Sequence, residues 1–314
     1  MFESIGLGFL ALSTLSISKR PPSRQIQDER EIVAKIIKGN RVESRVEDLL
    51  FYLGKVAERL CFIEAVAGTA GNISVRADDF PVEEFPQIGA REKTFHQMEG
   101  DFPGLHNKRF LITGSGKNLR YIAHRPHLCL AVVEIVEGGY SLLWGLKGGG
   151  RVTSEHPAHF TIYQQRPEIS AVIHSQPTSI NVLVRLFRSE KSLNSLLFVQ
   201  HEQLKICCQG GIGLVDRVEH GSYELADAVA TSLQNKDICA VVRHGTFSTG
   251  EGDSIDGLNR ACDLQEYYHD AARIFLDNPW LRLLPFDFLV KNLGRVSRLP
   301  LGDKMVKAFL RSPK

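Results

Sequence analysis

The chain is expected to fold as an α/β protein, on three observations. Apolar residues recur at spacings of three and four (Val46, Leu49, Leu50, Leu53, Val56, Leu60), the mark of an amphipathic helix. Short apolar or alternating runs at 73–75, 109–113, 171–173 and 238–242 have the length and residue types of strands. The two patterns alternate along the chain, with glycine, proline and asparagine between them, and do not segregate into halves.

The 314 residues, 43% hydrophobic and 24% charged, exclude disorder and collagen and can build a core that needs no disulfides. Residues 1–18 contain an apolar run near 5–15, but Glu3 precedes it and Lys19 and Arg20 follow it. That is the reverse of a secretory leader, and the run is too short to span a bilayer. Residues 1–30 are therefore expected to be a flexible N-terminal segment with a polar, proline-bearing linker at 21–30. The main domain is expected at 31–276, and a basic tail at 277–314.

Within the domain, helices are expected at 32–37 and 46–60, broken near Gly39 and Asn40. A turn and strand follow at 68–76. Residues 77–108, acidic and proline-bearing, read as a mobile surface insertion before the strand at 109–113. A glycine turn at 114–118 leads to a strand pair at 128–136 and 140–144. A helix at 155–166 begins with Pro157, which suits a first turn because the missing N–H costs nothing there. The expected order then continues with a strand at 171–173 ending on His174, a helix at 180–187, strands at 196–199 and 212–215, a helix at 223–233, a strand at 238–242 and a helix at 254–276.

The charge balance, 38 Lys and Arg against 36 Asp and Glu, lacks the basic footprint of a nucleic-acid binder. The tail carries eight Lys and Arg against three Asp, with Trp280, Phe286, Phe288 and Phe309 interleaved. It reads as a packed segment with solvated basic flanks more readily than as a membrane-facing one. Six scattered cysteines with no CxxC are expected to be reduced and buried, in a cytoplasmic protein.

Two strand ends deliver His174 and His244, and a helix start delivers Glu155. Two imidazoles and a carboxylate from separate elements suit a divalent metal of borderline softness such as zinc. Spacing alone leaves open that these are ordinary surface or satisfied side chains. Three turns suit a phosphate: 68–72 with Thr69, Gly71 and Asn72; 114–116 with Ser115 and Gly116; and the helix start at Thr153 and Ser154. Each by itself is also compatible with a plain turn.

Taken in order, GTAGNIS (68–74), FLITGSG (110–116), TSEHPAHFTIY (153–163), AVIHSQP (171–177), HGSYELADAV (220–229) and AVVRHG (240–245) resemble the class II aldolase and adducin family over roughly 45–276. The resemblance implies a three-layer α/β/α fold around a central, mostly antiparallel sheet, in a homo-oligomer that is usually a cyclic tetramer. Its members include fuculose phosphate and rhamnulose phosphate aldolases, ribulose phosphate epimerase and methylthioribulose phosphate dehydratase, as well as the non-catalytic adducin head. It implies Glu155 as acid/base, His174 and His244 as metal ligands, and Thr69, Gly71, Asn72, Ser115, Gly116, Thr153 and Ser154 as a phosphate cradle.

The chain departs from that pattern at one ligand. Where the family has HxHP, it has His174, Ser175, Gln176 and Pro177, so an amide stands at the second histidine's position. A neutral carbonyl oxygen donates less to zinc than imidazole does, which leaves a weakened zinc site, a harder metal such as manganese or magnesium, or no metal. His156 or His201 is a candidate substitute ligand, while His159 reads as a packed helix histidine. No tyrosine follows Tyr268, so the family aldolases' C-terminal proton donor has no counterpart. The expected function is a metal-dependent, aldolase-type lyase acting on a small phosphorylated hydroxyketone or aldehyde. The rivals are an adducin-like interaction module and an epimerase or dehydratase.

Overall fold

The computed structural model describes residues 45–187 and 189–278. The expected N-terminal segment, the helix at 32–37 and the basic tail beyond residue 278 lie outside them.

The described chain begins with α1 (Arg45–Phe62), where Val46, Leu49, Leu53, Val56 and Leu60 form one buried stripe. There follow β1 (Asn72–Arg76), β2 (Ala90–Gln97), β3 (Arg109–Thr113), the short α2 (Pro126–Cys129), β4 (Leu130–Val136) and β5 (Gly139–Gly145). Next come α3 (His156–Gln165), β6 (Ile169–Ser175), α4 (Thr178–Leu186), α5 (Glu190–Gln200) and α6 (Glu202–Cys207). The order closes with β7 (Gly213–Val215), α7 (Tyr223–Ser232), β8 (Ile238–Val241), β9 (Gly245–Glu251) and α8 (Ser254–Asp277).

All nine strands join one sheet in the order β2-β5-β4-β3-β1-β6-β9-β8-β7. Every pair is antiparallel except β7 with β8. Strand alternation sorts side chains to the two faces. Ile73, Val75, Leu111, Ala171 and Ile173 join the core shared with α1 and α8. Phe110, Ile112, Val172 and Phe247 join the core shared with α3 and α7. Helices therefore cover both faces, giving the three-layer α/β/α arrangement.

Two ion-pair groups brace this framework, the first within the α1–α8 layer and the second between the α3 end and the sheet. Arg59 on α1 forks onto Glu266 of α8, at 2.8 and 2.6 Å, and also meets Asp263. Arg166, at the end of α3, donates to the Leu233 and Lys236 carbonyls at 3.0 Å each and to Glu251 at 3.1 Å. Helix starts are capped by side chains: Ser222 accepts from the Leu225 N–H, and Asp253 from those of Ile255 and Asp256.

Three expectations need correction. Residues 196–199 are helical and lie within α5, because Leu193, Leu196 and Leu197 have the i, i+3, i+4 spacing that buries one helix face. The 77–108 stretch is a built edge of the sheet: β2 pairs with β5, and Phe80, Phe85, Phe102 and Leu105 are buried. Its prolines set short 3-10 turns that fold these apolar residues inward. Of the six cysteines, Cys129, Cys208, Cys239 and Cys262 are buried as expected, but Cys61 is half-buried and Cys207 is exposed at the end of α6.

Arg166 supplies the test of this architecture. Substituting Arg166→Met strands the two carbonyls and leaves the carboxylates of Glu168, Asp237 and Glu251 without their shared cation, and the stability of the full chain in urea is expected to fall by about 2–3 kcal/mol.

Candidate active site

β1 and β6 lie side by side in the middle of the sheet, and their register pairs Asn72 with His174. Both residues point to the α3 face, at the C-terminal end of β6 and the N-terminal end of β1. The chain enters β1 through a left-handed glycine: Gly71 has φ +85°, and a Cβ there would stand 2.6 Å from Val66 Cγ1. The turn between β8 and β9 brings His244 beside His174. Arg243 within it adopts φ +63°, a strained value for a side-chain-bearing residue. Gly245 is required there because a Cβ would collide with the Ser175 carbonyl.

These elements enclose a polar pocket of about 780 Å³. Thr69, Gly71, Asn72, Ser115, Gly116, Thr153, Ser154, Glu155, His174, Gln176 and His244, the whole set expected from the sequence, all line it. His156 and His201 do not. His156 donates from Nδ1 to the Thr153 carbonyl at 2.9 Å and packs on Phe160; His201 lies against Tyr267. Neither is placed as a substitute for Gln176.

His174 is buried and stacks on Phe247 at 4.3 Å between ring centres. Its Nδ1–H donates to the Thr246 carbonyl at 3.0 Å, which leaves the lone pair on Nε2. Behind it, Gln265 of α8 accepts from the hydroxyls of Ser175 and Thr246 at 2.9 and 2.7 Å and donates to Ser248 at 2.9 Å, fixing the strand ends that carry the site. Burial is the main reason the His174 imidazole is pushed down to about 4, helped by the nearby His244 and opposed by Glu155.

Glu155 caps the N-terminus of α3 and is 5% exposed. Its Oε1 lies 3.5 Å from His244 Nε2, while its Oε2 is buried without a hydrogen-bond partner. Burial works to raise the carboxyl, but the contact with His244 and the neighbouring imidazoles override it, so it titrates below the usual glutamate range. A carboxylate at a helix N-terminus is also favoured by the backbone dipoles.

The donors around His174 that could reach a divalent cation are His174 Nε2, the His244 ring, whose Nδ1 is buried and unpartnered, and the amide oxygen of Gln176, with the His220 ring 6.3 Å from that of His244 on the same pocket. Among the described residues no group of three His, Cys, Asp or Glu is gathered tightly enough to hold a metal ion. The residues present therefore fit a cation as a mixed nitrogen and oxygen set, His174 and His244 with the Gln176 amide, and the orphaned Glu155 Oε2 alongside.

On the opposite wall, the backbone N–H groups of Ser115 and Thr153 are committed to the carbonyls of Arg151 and Thr113, at 2.8 and 2.9 Å. The donors that wall offers a ligand are thus its hydroxyls, the Asn72 amide and the N–H groups of Gly116 and Ser154, which have no backbone acceptor among the described residues. The sequence reading missed Arg217, Glu219, His220 and Arg243, which also line the pocket. Arg217 and Glu219 were signalled by a run of charged residues after β7, while His220 opens the segment HGSYELADAV and Arg243 lies in AVVRHG, both without an assigned role.

The profile of the class II aldolase and adducin N-terminal domain matches residues 53–276. The chain belongs to that family. It is 28% identical over 231 residues to the rhamnulose-1-phosphate aldolase of Listeria monocytogenes serovar 1/2a, covering 71% of this chain and 84% of that protein. The crystal structure of a sugar-phosphate aldolase from Thermotoga maritima superposes with a TM-score of 0.64 at 25% identity, over 77% of this chain and 99% of that one. The l-fuculose-1-phosphate aldolase from Thermus thermophilus, at 19% identity, shares the fold with a TM-score of 0.51, over 76% of this chain and 98% of that one. No helix among the described residues is long and apolar enough to cross a membrane.

Behind the pocket, burial pushes the imidazole of His159 down to about 3 from an ordinary 6.5. The unfolded chain therefore takes up a proton that the folded one refuses, so stability falls as pH drops from about 6.5 toward about 3. Urea midpoints measured across that window are expected to decline, His159 contributing a slope of about 1.4 kcal/mol per pH unit.

Proposed function

We propose that the chain is an aldolase-type lyase that cleaves a small phosphorylated hydroxyketone. The observation that carries this reading is Glu155: a buried carboxylate with one unpartnered oxygen, beside two imidazoles, in a pocket whose far wall is made of hydroxyl and amide donors. Such a wall suits the phosphoryl group, and Glu155 then faces the carbon next to the substrate's carbonyl.

His174, His244 and the Gln176 oxygen would hold a divalent cation, zinc or the harder manganese. When bound, it supplies Lewis-acid polarisation of the substrate's carbonyl and neighbouring hydroxyl. As the carbon–carbon bond breaks, the hydroxyl that becomes the new carbonyl gives its proton to water, and Glu155 delivers a proton to the carbon that loses its partner, taking one back in the condensation direction. Its lowered pKa leaves Glu155 ionised in the free site. Binding of substrate and exclusion of water favour its protonated form.

Exposed Phe51, Phe62 and Tyr121 support the homo-oligomer that the family resemblance implies. A cytoplasmic location completes the reading.

One observation favours a second reading. With Gln176 in place of the second histidine, the same scaffold also suits an adducin-like module that has lost its metal. Epimerisation or dehydration would use the same Glu155 with a different donor, and product analysis separates them from cleavage.

Metal content by elemental analysis of the chain purified without a histidine tag separates these readings. The expected result is about one zinc or manganese per chain, lost in His174→Ala, with zinc held more tightly in Gln176→His. No metal in the wild type but zinc in Gln176→His would sink the lyase reading. With rhamnulose 1-phosphate as first substrate, Glu155→Gln is expected to lower kcat by about 10²- to 10⁴-fold.

A further inference from the structure

His159 lies on α3 behind the pocket wall with no exposed surface, and its ring is bonded at both nitrogens. Nε2 stands 2.6 Å from Asn72 Oδ1, and Nδ1 stands 2.6 Å from Ser74 Oγ. Ser74 Oγ is in turn 3.0 Å from the Tyr163 hydroxyl, which donates its only proton to the Ser74 carbonyl at 2.9 Å. This row of buried side chains ends at Asn72, the one member that lines the pocket.

A neutral imidazole has one N–H and one lone pair, so the row has two self-consistent polarities. In the first, the Ser74 hydroxyl donates to Nδ1, Nε2–H donates to Asn72 Oδ1, and the Asn72 NH₂ group is left for the pocket. In the second, Ser74 donates to Tyr163, Nδ1–H donates to Ser74, and the Asn72 amide must turn over to feed Nε2, leaving its carbonyl for the pocket. The amide oxygen of Asn72 faces Nε2 at 2.6 Å, and an amide oxygen can only accept, so Nε2 carries the ring proton and Nδ1 is left to accept from the Ser74 hydroxyl at 2.6 Å. That selects the first polarity. Burial keeps the ring neutral at ordinary pH, so no second ring proton disturbs the row.

We propose that His159 is a positioning residue that locks the Asn72 amide with its NH₂ group toward the pocket, so that this wall presents a donor and selects an anionic phosphoryl oxygen. The inference rests on the reading of that wall as the phosphate side of the site. It assigns a task to a histidine that makes no contact with ligand.

The test is calorimetric titration of the full-length chain with inorganic phosphate. Asn72→Asp, which replaces the donor by an acceptor, is expected to weaken binding at least about tenfold. His159→Leu is expected to weaken it about tenfold, and His159→Gln, whose amide N–H takes the place of Nε2–H, to stay within about threefold of wild type. A purely packing role for His159 predicts no such rescue, so equal losses in the Leu and Gln variants would overturn the proposal.

If Asn72→Asp loses phosphate while His159→Leu binds it as the wild type does, the positioning role fails and the phosphate reading stands. Unchanged binding in Asn72→Asp sinks the phosphate reading itself. Should His159→Leu fail to fold, Ser74→Ala provides the same test, because it frees Nδ1 and allows the ring to change tautomer. A loss of about fivefold with an unaltered melting temperature supports the proposal, and unaltered binding overturns it.

Discussion

The pairing of Asn72 with His174 across β1 and β6 is the constraint on which the rest of the site depends. It fixes Asn72 beside His174 through backbone pairing alone, and the turns that carry His244, Ser115 and Thr153 close around that pair. A one-residue slip of β1 against β6 would turn Asn72 and Ser74 to the α8 face and expose Ile73 and Val75 to the polar pocket. The apolar alternation of the two central strands therefore holds the register, and the core that α1 and α8 build beneath the sheet protects the geometry above it. Placing the site over two strands that are paired on both edges gives it the stiffest part of the molecule.

Around that register the chain arranges two kinds of support. Behind His174 the Gln265 amide gathers hydroxyls from β6 and β9, and behind Asn72 the His159 ring connects to Ser74 and Tyr163. Both are closed hydrogen-bond networks in a dry interior, where an unmet donor or acceptor is costly. They differ from the pocket itself, where Glu155 and His244 each leave an atom unpaired. Buried atoms without a partner also occur elsewhere, at Asn181, Tyr223 and Tyr268 for example, but Glu155 and His244 bring two of them to one pocket, where something arriving from outside can meet them.

The sequence was legible where one residue type has one use. Glycine turns, the proline at the start of α3 and histidines at strand ends all placed their residues correctly, and every residue expected at the site lines the pocket. The family resemblance supplied the antiparallel topology, which periodicity does not encode. Leu196 and Leu197 were misread because a short apolar run fits strand and helix alike, and only Leu193 one turn earlier decides it. The 77–108 stretch was misread because its apolar residues are isolated in sequence and converge only after β2 pairs with β5. Nor was the task of His159 visible, since its partners are some 85 residues away.

The strand pair that carries the site also sets when the site comes into being. β4 and β5 are joined by the two residues Glu137 and Gly138, and they can pair early. Joining residue 72 to residue 174 closes a loop of roughly a hundred residues, at an entropic cost that nearby contacts do not offset until the sheet around it exists. The pocket thus cannot exist until that loop is closed. While β6 is missing, β1 presents an open edge, so the step that creates the site also covers that edge.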